Sequence, residues 1–598
     1  MWNGKSEHNT GAYRNFDIIV LICIPVAYAL INDNWMFTAI GWLDPWYYIG
    51  YGLNYNDPAY LDDYYKISRL PWVLLEYVVR SNLSSYYSSV VMQMTLMCGT
   101  IAALYAVMLR TLGRVGAFFG VLFYATYVFS YASGGADYHN SCGGLFFALS
   151  WICAIRAAET NASARWTIAT GAMIALSVHS IIVMVNLVPI PVVFFFAHFR
   201  MRHHRWPPIV KTVLWGTLGG LVVTAILCAI NWGVGRNPWF FLLQFKLASS
   251  FVSDASHQVS WWHDWSTPWY LSRDRLYLLP AAAGLVTSIP LAFYIWWSKT
   301  SVQRRTIALL YVLTYTFYGV LWISWQTIGQ TALDWVYFAY PLIFPLTGLI
   351  GAAAAVSSEK LETRLGMSFT VLGAVCAAVV LAPFALYPLF DFHYKDAYLF
   401  IAIGISFLIF IIVIARENVS WKSFVGSAIV FSLFMSVMNY AASQNNPDQF
   451  NRNNCQYNAN NVAAIVEGHR FLRALGYPFK NVLIWADPKE EFQLPHCDGG
   501  PAVVSLGQFW PSLVSTGFRY VAAPWDAKKL DDIPDKKFQE IAGSKTLIVQ
   551  VSNSPAEVEK LRNRFAALPD APEIGQIQSH QLEQLPVKLY FFEVGPKG

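Results

Sequence analysis

From residue 17 to about residue 440 the chain alternates long apolar runs with shorter polar connections rich in Trp and Tyr, and beyond that point the alternation stops. A helix needs about 20 mainly apolar residues to cross a bilayer, somewhat fewer where the bilayer thins. By that measure the runs predict thirteen spans, at 17–32, 86–109, 115–132, 141–155, 166–179, 181–199, 209–230, 276–297, 306–323, 336–356, 366–386, 397–415 and 423–440. Residues 166–199 form one apolar stretch, but the polar His179-Ser180 and the prolines Pro189 and Pro191 predict two helices there.

Past residue 440 the pattern changes period. NVAAIVEGHRFLRALG reads as an amphipathic helix ending at Gly476, and NVLIWAD as a buried strand. RYVAAP, KTLIVQVS and KLYFFEVG read as further strands, and 555–568 as a Glu- and Lys-rich helix. The chain is therefore predicted to be an all-α polytopic membrane domain over 1–440 followed by a small α/β domain with a mainly parallel sheet over 441–598.

Composition supports the division. Of 598 residues 56% are hydrophobic and 13% charged, with a mean hydropathy of +0.39. The last 158 positions hold 33 of the 77 charged residues. The net charge of +5 lies in short clusters between apolar runs, which argues against nucleic acid as a partner. Met1 to Asp17 is polar and lacks a signal-peptide charge pattern and cleavage site, so the first run is expected to remain as an anchor.

Short loops rich in Lys and Arg stay in the cytoplasm. Thirteen crossings put seventeen basic residues of the first 440 on the N-terminal side and eight on the other. The expected arrangement is a bacterial inner-membrane protein with a cytoplasmic N-terminus and a periplasmic tail. The long aromatic loops, at 33–85, 133–140, 231–275, 324–335 and 387–396, then face outward.

Candidate chemistry collects in three of these loops. In the first, Asp44 stands in the apolar, aromatic context GWLDPWYY, with the cations Lys66 and Arg69 further along. An ionised carboxylate there needs compensation, which suits a general base, although Asp44 followed by Pro45 also suits a helix start. In the second, Asp137 and His139 follow a Gly134-Gly135 turn and can take a proton or a divalent cation, or cap a helix. In the third, Arg236, Lys246, Arg273 and Arg275 lie among aromatic residues, as phosphate ligands or as interfacial anchors. Six of the eight cysteines fall in or at apolar runs; Cys455 and Cys497, in the tail, are expected to pair in an oxidising compartment.

Over residues 1–440 this pattern resembles the GT-C superfamily of membrane glycosyltransferases, especially its family 39 protein-mannosyltransferase-like and aminoarabinose-transferase-like members. In that family an Asp of the first outward loop is the catalytic carboxylate, followed by a Tyr-rich segment and then a basic residue and Pro before the second span. Asp44 in LDPWYY and the run Tyr64-Tyr65-Lys66-Ile67-Ser68-Arg69-Leu70-Pro71 match those positions. Asp44-Pro45 replaces the common Asp-Glu pair, and Arg69-Leu70-Pro71 replaces His/Lys-Pro-Pro. The Asp-Pro pair is also similar to the first loop of oligosaccharyltransferase catalytic subunits, with Asp137 where their second-loop acidic residue lies, but their WWDYG signature is absent from the tail.

The resemblance implies a polyprenyl-phosphate-linked sugar donor lying in a groove between spans, surrounded by membrane lipids, and a glycan, lipid or protein acceptor at the outer face. Asp44 would act as general base, with Lys66, Arg69, Arg236, Lys246, Arg273 and Arg275 as candidates for the leaving phosphate. No nucleotide site is needed, and the chain shows no Walker A motif and no G-x-G-x-x-G after a strand. A polytopic transporter or lipid flippase is the alternative. It would be expected to show internal repeats and ionisable residues within the spans, and the sequence shows no repeat and few such charges.

Overall fold

The structure is a computed structural model that describes residues 7–41, 43–60, 65–246, 278–328, 339–357, 368–385, 421–443, 456–494, 502–523, 529–570 and 572–597. The first helices are α1 (Glu7–Ile31), α2 (Leu43–Asn54), α3 (Leu70–Asn82), α4 (Ser85–Thr111), α5 (Gly113–Thr126), α6 (Val128–Gly134), α7 (Asn140–Glu159), α8 (Ala164–Ser180), α9 (Pro189–His203) and α10 (Ile209–Gly233). They are followed by α11 (Leu279–Trp297), α12 (Val302–Ile328), α13 (Ile343–Ser357), α14 (Ser368–Ala385) and α15 (Trp421–Ser443).

Among the described residues, eight helices are long and apolar enough to cross a membrane, or nine if α5 and α6, bent by 61°, form one span. Two shorter apolar helices lie at Tyr340–Val356 and Thr370–Ala385. Together with α8, these helices stand where the sequence predicts spans; the span expected at 397–415 lies outside the described residues. The apolar stretch 166–199 divides as expected, with α8 ending at Ser180 and a 3-10 turn, Ile182–Leu187, leading into α9.

Backbone freed inside a membrane must find new partners. At the α5–α6 bend it finds Asn439 of α15, whose amide accepts from Val128 N at 3.3 Å and donates to Thr126 O at 2.7 Å. At the N-terminal end, buried Asp17 accepts from Arg114 twice (2.6 and 2.8 Å), from Tyr105 (2.9 Å) and from Thr370 (2.5 Å). One carboxylate thereby ties α1 to α4, α5 and α14. Between α8 and α10 a β carbon on Gly171 would meet Gly216, and one on Gly219 would meet Ile168, so the two helices touch backbone to backbone.

The tail holds α16 (Ala459–Ala474), α17 (Leu506–Ser515), α18 (Asp535–Ala542) and α19 (Pro555–Ala566). Its strands are β1 (Val482–Trp485), β2 (Glu491–Leu494), β3 (Ala502–Ser505), β4 (Arg519–Tyr520), β5 (Thr546–Ser552), β6 (Glu573–Ile574), β7 (Gln578–Gln581) and β8 (Lys588–Gly595). Asn458 caps α16 by accepting from Asn460 N, and Gly476 takes the left-handed conformation just past its end. The sheet runs β4-β1-β5-β8-β6, with β7 also on β8 and with β2–β3 as a separate antiparallel pair.

The sheet is mixed, not mainly parallel as the sequence predicts. Among the described residues only β1 with β4 and β1 with β5 are parallel, whereas β8 pairs antiparallel with β5, β6 and β7. The fully buried run of β5 reads the same whichever way its neighbour points, so the direction of β8 is not written in it.

The tail sits on the loop that follows the first span. Ile40 N donates to Gln456 O at 3.1 Å and Gly41 N to Ser512 Oγ at 2.9 Å. Farther along, Asn54 meets buried His469 at 3.0 Å, and Asp57 pairs with Arg473 at 2.9 Å. Helix α17 packs against α2. The tail therefore lies at the face where α1 ends.

Candidate active site

Helix α2 begins at Leu43, so Asp44 lies in its first turn, where a carboxylate is favoured and Pro45 loses no intrahelical bond. Trp46 anchors that turn through Nε1–H donated to Ala39 O at 2.9 Å. The Asp44 side chain is 38% exposed and forms an ion pair with Lys66, whose side chain is 0% exposed. Lys66 lies on the 3-10 turn Tyr65–Ser68 immediately before α3, among the rings of Tyr47, Tyr48 and Tyr65 at 5.1–5.6 Å. Burial pushes its ammonium below the ordinary lysine range, and Asp44 beside it pushes back.

Arg69, one turn on, lies over Tyr48 and Tyr65, donates to the Tyr48 hydroxyl and reaches His139 Nδ1 at 3.2 Å. Burial, then the charges of Arg69 and Lys66, hold the His139 imidazole well below its usual range, so it is neutral at physiological pH. With Nδ1 accepting from the guanidinium, the ring proton is on Nε2, a buried atom with no hydrogen-bond partner among the described residues. Tyr138 places its hydroxyl 3.5 Å from Asp44 Oδ2.

Asp137 faces the other way, into a buried charged cluster. Arg80 donates to Asp137 Oδ1 at 2.7 Å and also to Glu76, one helical turn back on α3. Ser89 of α4 donates to the same Asp137 oxygen at 2.7 Å. The second loop thus stands directly behind the first, with Asp137 on Arg80 and Ser89, Tyr138 on Asp44 and His139 on Arg69. Glu76 and Arg80 were not singled out by their sequence context; the available signal was an i,i+4 pair of opposite charges inside LPWVLLEYVVRS.

Asp137 and His139 each face a guanidinium in this arrangement. Arg80 stands against Asp137 and Arg69 against His139. Among the described residues no group of three or more His, Cys, Asp or Glu side chains is arranged to hold a metal ion.

Arg236 is placed elsewhere than among the phosphate ligands expected from its position. It is 2% exposed, and its guanidinium donates to the backbone oxygens of Tyr55 (2.9 Å), Tyr60 (2.9 Å), Asn54 (3.2 Å) and Asp57 (2.6 Å). Four turn carbonyls absorb its donors, and the first loop is held from the third. Gln244 adds a second tie, from its amide to Ser68 O at 2.6 Å and to His179 O at 3.2 Å. Lys246, two residues on, is exposed. Arg273, Arg275, Cys455 and Cys497 lie outside the described residues.

No family model matches the chain, and no curated protein matches it. Among solved structures it is similar to ArnT from Cupriavidus metallidurans bound to undecaprenyl phosphate, at 11% identity and a TM-score of 0.45, over 96% of this chain and 97% of that one. The apo state of the same protein is similar at 12% identity and a TM-score of 0.41, with the same coverage. An Archaeoglobus fulgidus oligosaccharyltransferase, tethered with an acceptor peptide, is similar at 12% identity and a TM-score of 0.42, over 92% of this chain and 70% of that one.

Proposed function

We propose that this chain is a membrane glycosyltransferase that moves a sugar from a polyprenyl phosphate to a glycan, lipid or protein acceptor at the face on which the tail sits. The observation that carries the reading is the half-exposed Asp44 carboxylate paired with the wholly buried Lys66, with Arg69 and His139 behind it. A transporter would need such a charge inside a central passage. Asp44 instead stands in the connection after the first span, beneath the tail.

In this reading Asp44 takes the proton of the acceptor hydroxyl, and the oxygen attacks the anomeric carbon. The bond from that carbon to the phosphate oxygen breaks, and the phosphate leaves with the electron pair. A single displacement inverts the anomeric configuration. Lys66 and Arg69, held in a low-dielectric aromatic shell, set a positive field where negative charge builds on the leaving group. Lys66 also orients Asp44, so it serves the base before it serves the phosphate.

The sidedness belongs to the same reading. The N-terminus is cytoplasmic and residues 441–598 are periplasmic, the membrane being the bacterial inner membrane. A reporter that works only in the periplasm should be active when fused after residue 440 and silent when fused before α1; the opposite pattern overturns the orientation. The function itself is tested by mass spectrometry of cell-envelope glycans and lipids from cells with and without the gene. One sugar modification should disappear and the corresponding polyprenyl-phosphate sugar should accumulate. An unchanged envelope together with an unchanged lipid-linked sugar pool counts against transfer.

A further inference from the structure

Residues 137–139 carry no regular structure of their own, yet the side chain of each is held by a partner outside the loop. Asp137 is bonded to Arg80 and Ser89, Tyr138 reaches Asp44, and His139 meets Arg69. The backbone in front of them is left-handed at two non-glycine positions, Ala136 (φ 56°) and Asp137 (φ 53°). Such a conformation costs about 1–3 kcal/mol per residue and persists only where its surroundings enforce it. Ala136 offers only its backbone, which donates to Trp35 O at 2.8 Å. The side-chain anchor is Asp137, and its charged partner is Arg80.

Glu76, Arg80 and Asp137 have side chains between 0% and 1% exposed. With both carboxylates ionised they would carry a net negative charge away from water, which is costly, whereas one retained proton makes the cluster neutral. Each carboxyl keeps one buried oxygen without a partner among the described residues, Oδ2 of Asp137 and Oε1 of Glu76, but Asp137 Oδ1 receives two hydrogen bonds, from Arg80 and Ser89, whereas Glu76 receives one, from Arg80. Ionised Asp137 is the better supported of the two, which leaves the proton on Glu76. Burial, opposed by Arg80 and reinforced by Asp137, also pushes the Glu76 carboxyl up, to about 7.

We propose that Arg80 is a positioning residue, which fixes Asp137–Tyr138–His139 as a strut bracing Asp44 and Arg69, and that Glu76 holds the proton that keeps this anchor neutral. The part concerning catalysis rests on the glycosyltransferase reading above.

Arg80→Met alone would leave Asp137 charged and bare, so the test uses Arg80→Met with Asp137→Asn, which is neutral and isosteric enough to fold. Hydrogen exchange followed by mass spectrometry should show faster exchange confined to peptides covering 135–141 and 65–70. In a transfer assay the double variant should lose about 10²-fold in kcat with KM little changed, as expected when reacting groups shift by about 1 Å. Glu76→Gln, which mimics the protonated acid, should keep the wild-type unfolding temperature and remove any fall in that temperature between pH 5 and pH 8. Glu76 has a raised folded pKa, so its stabilisation is complete below the unfolded value and fades as pH rises through about 7. The charged groups facing it are Arg80 and Asp137.

Wild-type exchange at 135–141 in the double variant, or a marked loss of stability in Glu76→Gln, overturns the proposal whatever the protein transfers. Wild-type kcat with disturbed exchange overturns the link to catalysis. Absence of transfer by the wild-type protein itself counts against the glycosyltransferase reading and leaves the exchange and unfolding results to decide the strut.

Discussion

Asp44→Asn is expected to leave a well-expressed, folded protein whose sugar transfer falls by about 10²–10⁴-fold, the usual loss when a general base is removed. Asn keeps the shape of the side chain and can still accept a hydrogen bond from Lys66, but it cannot take the acceptor's proton at neutral pH. Lys66 loses its counter-charge in the variant. Burial already favours its neutral form, so shedding a proton limits the penalty to folding. The measurement is kcat with a polyprenyl-phosphate sugar, made on protein that elutes as a single species. Near-normal transfer by such protein removes Asp44 from the role, and Asp33 and Asp57, in the same loop, become the next carboxylates to test.

Arg236→Ala should act mainly on stability. The side chain satisfies four backbone carbonyls in the turn between α2 and the Lys66 segment, and a buried polar group left without its partner costs about 1–3 kcal/mol. Loss of four such bonds, allowing for relaxation and entering water, should destabilise the protein by at least about 3 kcal/mol. Thermal unfolding in detergent should show it, with Arg236→Lys recovering part of the loss. A residue whose work was to bind the donor phosphate would behave the other way, with an unchanged unfolding temperature and a raised KM. An unfolding temperature equal to that of the wild type therefore contradicts the placement of Arg236.

These two residues also mark what the sequence could and could not tell. The helices of the membrane domain were legible because apolar length is a local property, and even the break at Ser180 was visible as a polar interruption. Asp44, Lys66 and Arg69 were legible as a group because they share one loop and a resemblance, and the structure pairs Asp44 with Lys66 and sets Lys66 and Arg69 on the same rings, Tyr48 and Tyr65. Arg236 looked like their companion because a cation among aromatics in a loop has the same local signature whether it faces a phosphate or a backbone turn. Its partners lie 176 to 182 positions away.

Distance along the chain also hid the seat of the tail. His469 and Asn54 are 415 positions apart, and nothing in the local pattern of either predicts that they meet. The same contact gives the tail a place in the site, since it grips the far end of the helix whose first turn carries Asp44. The antiparallel direction of β8 escaped for a related reason: alternation and burial describe a strand's faces and say nothing of its neighbour's direction.

Following a lipid-linked sugar through the purified protein tests most directly whether Asp44 drives transfer from a polyprenyl phosphate. Protein reconstituted in liposomes would be supplied with labelled polyprenyl-phosphate sugars and with acceptor-containing envelope extract, and both products would be counted. Equal amounts of transferred sugar and released polyprenyl phosphate, formed by the wild-type protein and nearly absent with Asp44→Asn, are the predicted result. Folded wild-type protein that releases no polyprenyl phosphate from any of the supplied donors, or an Asp44→Asn variant that releases as much as wild type, would contradict it.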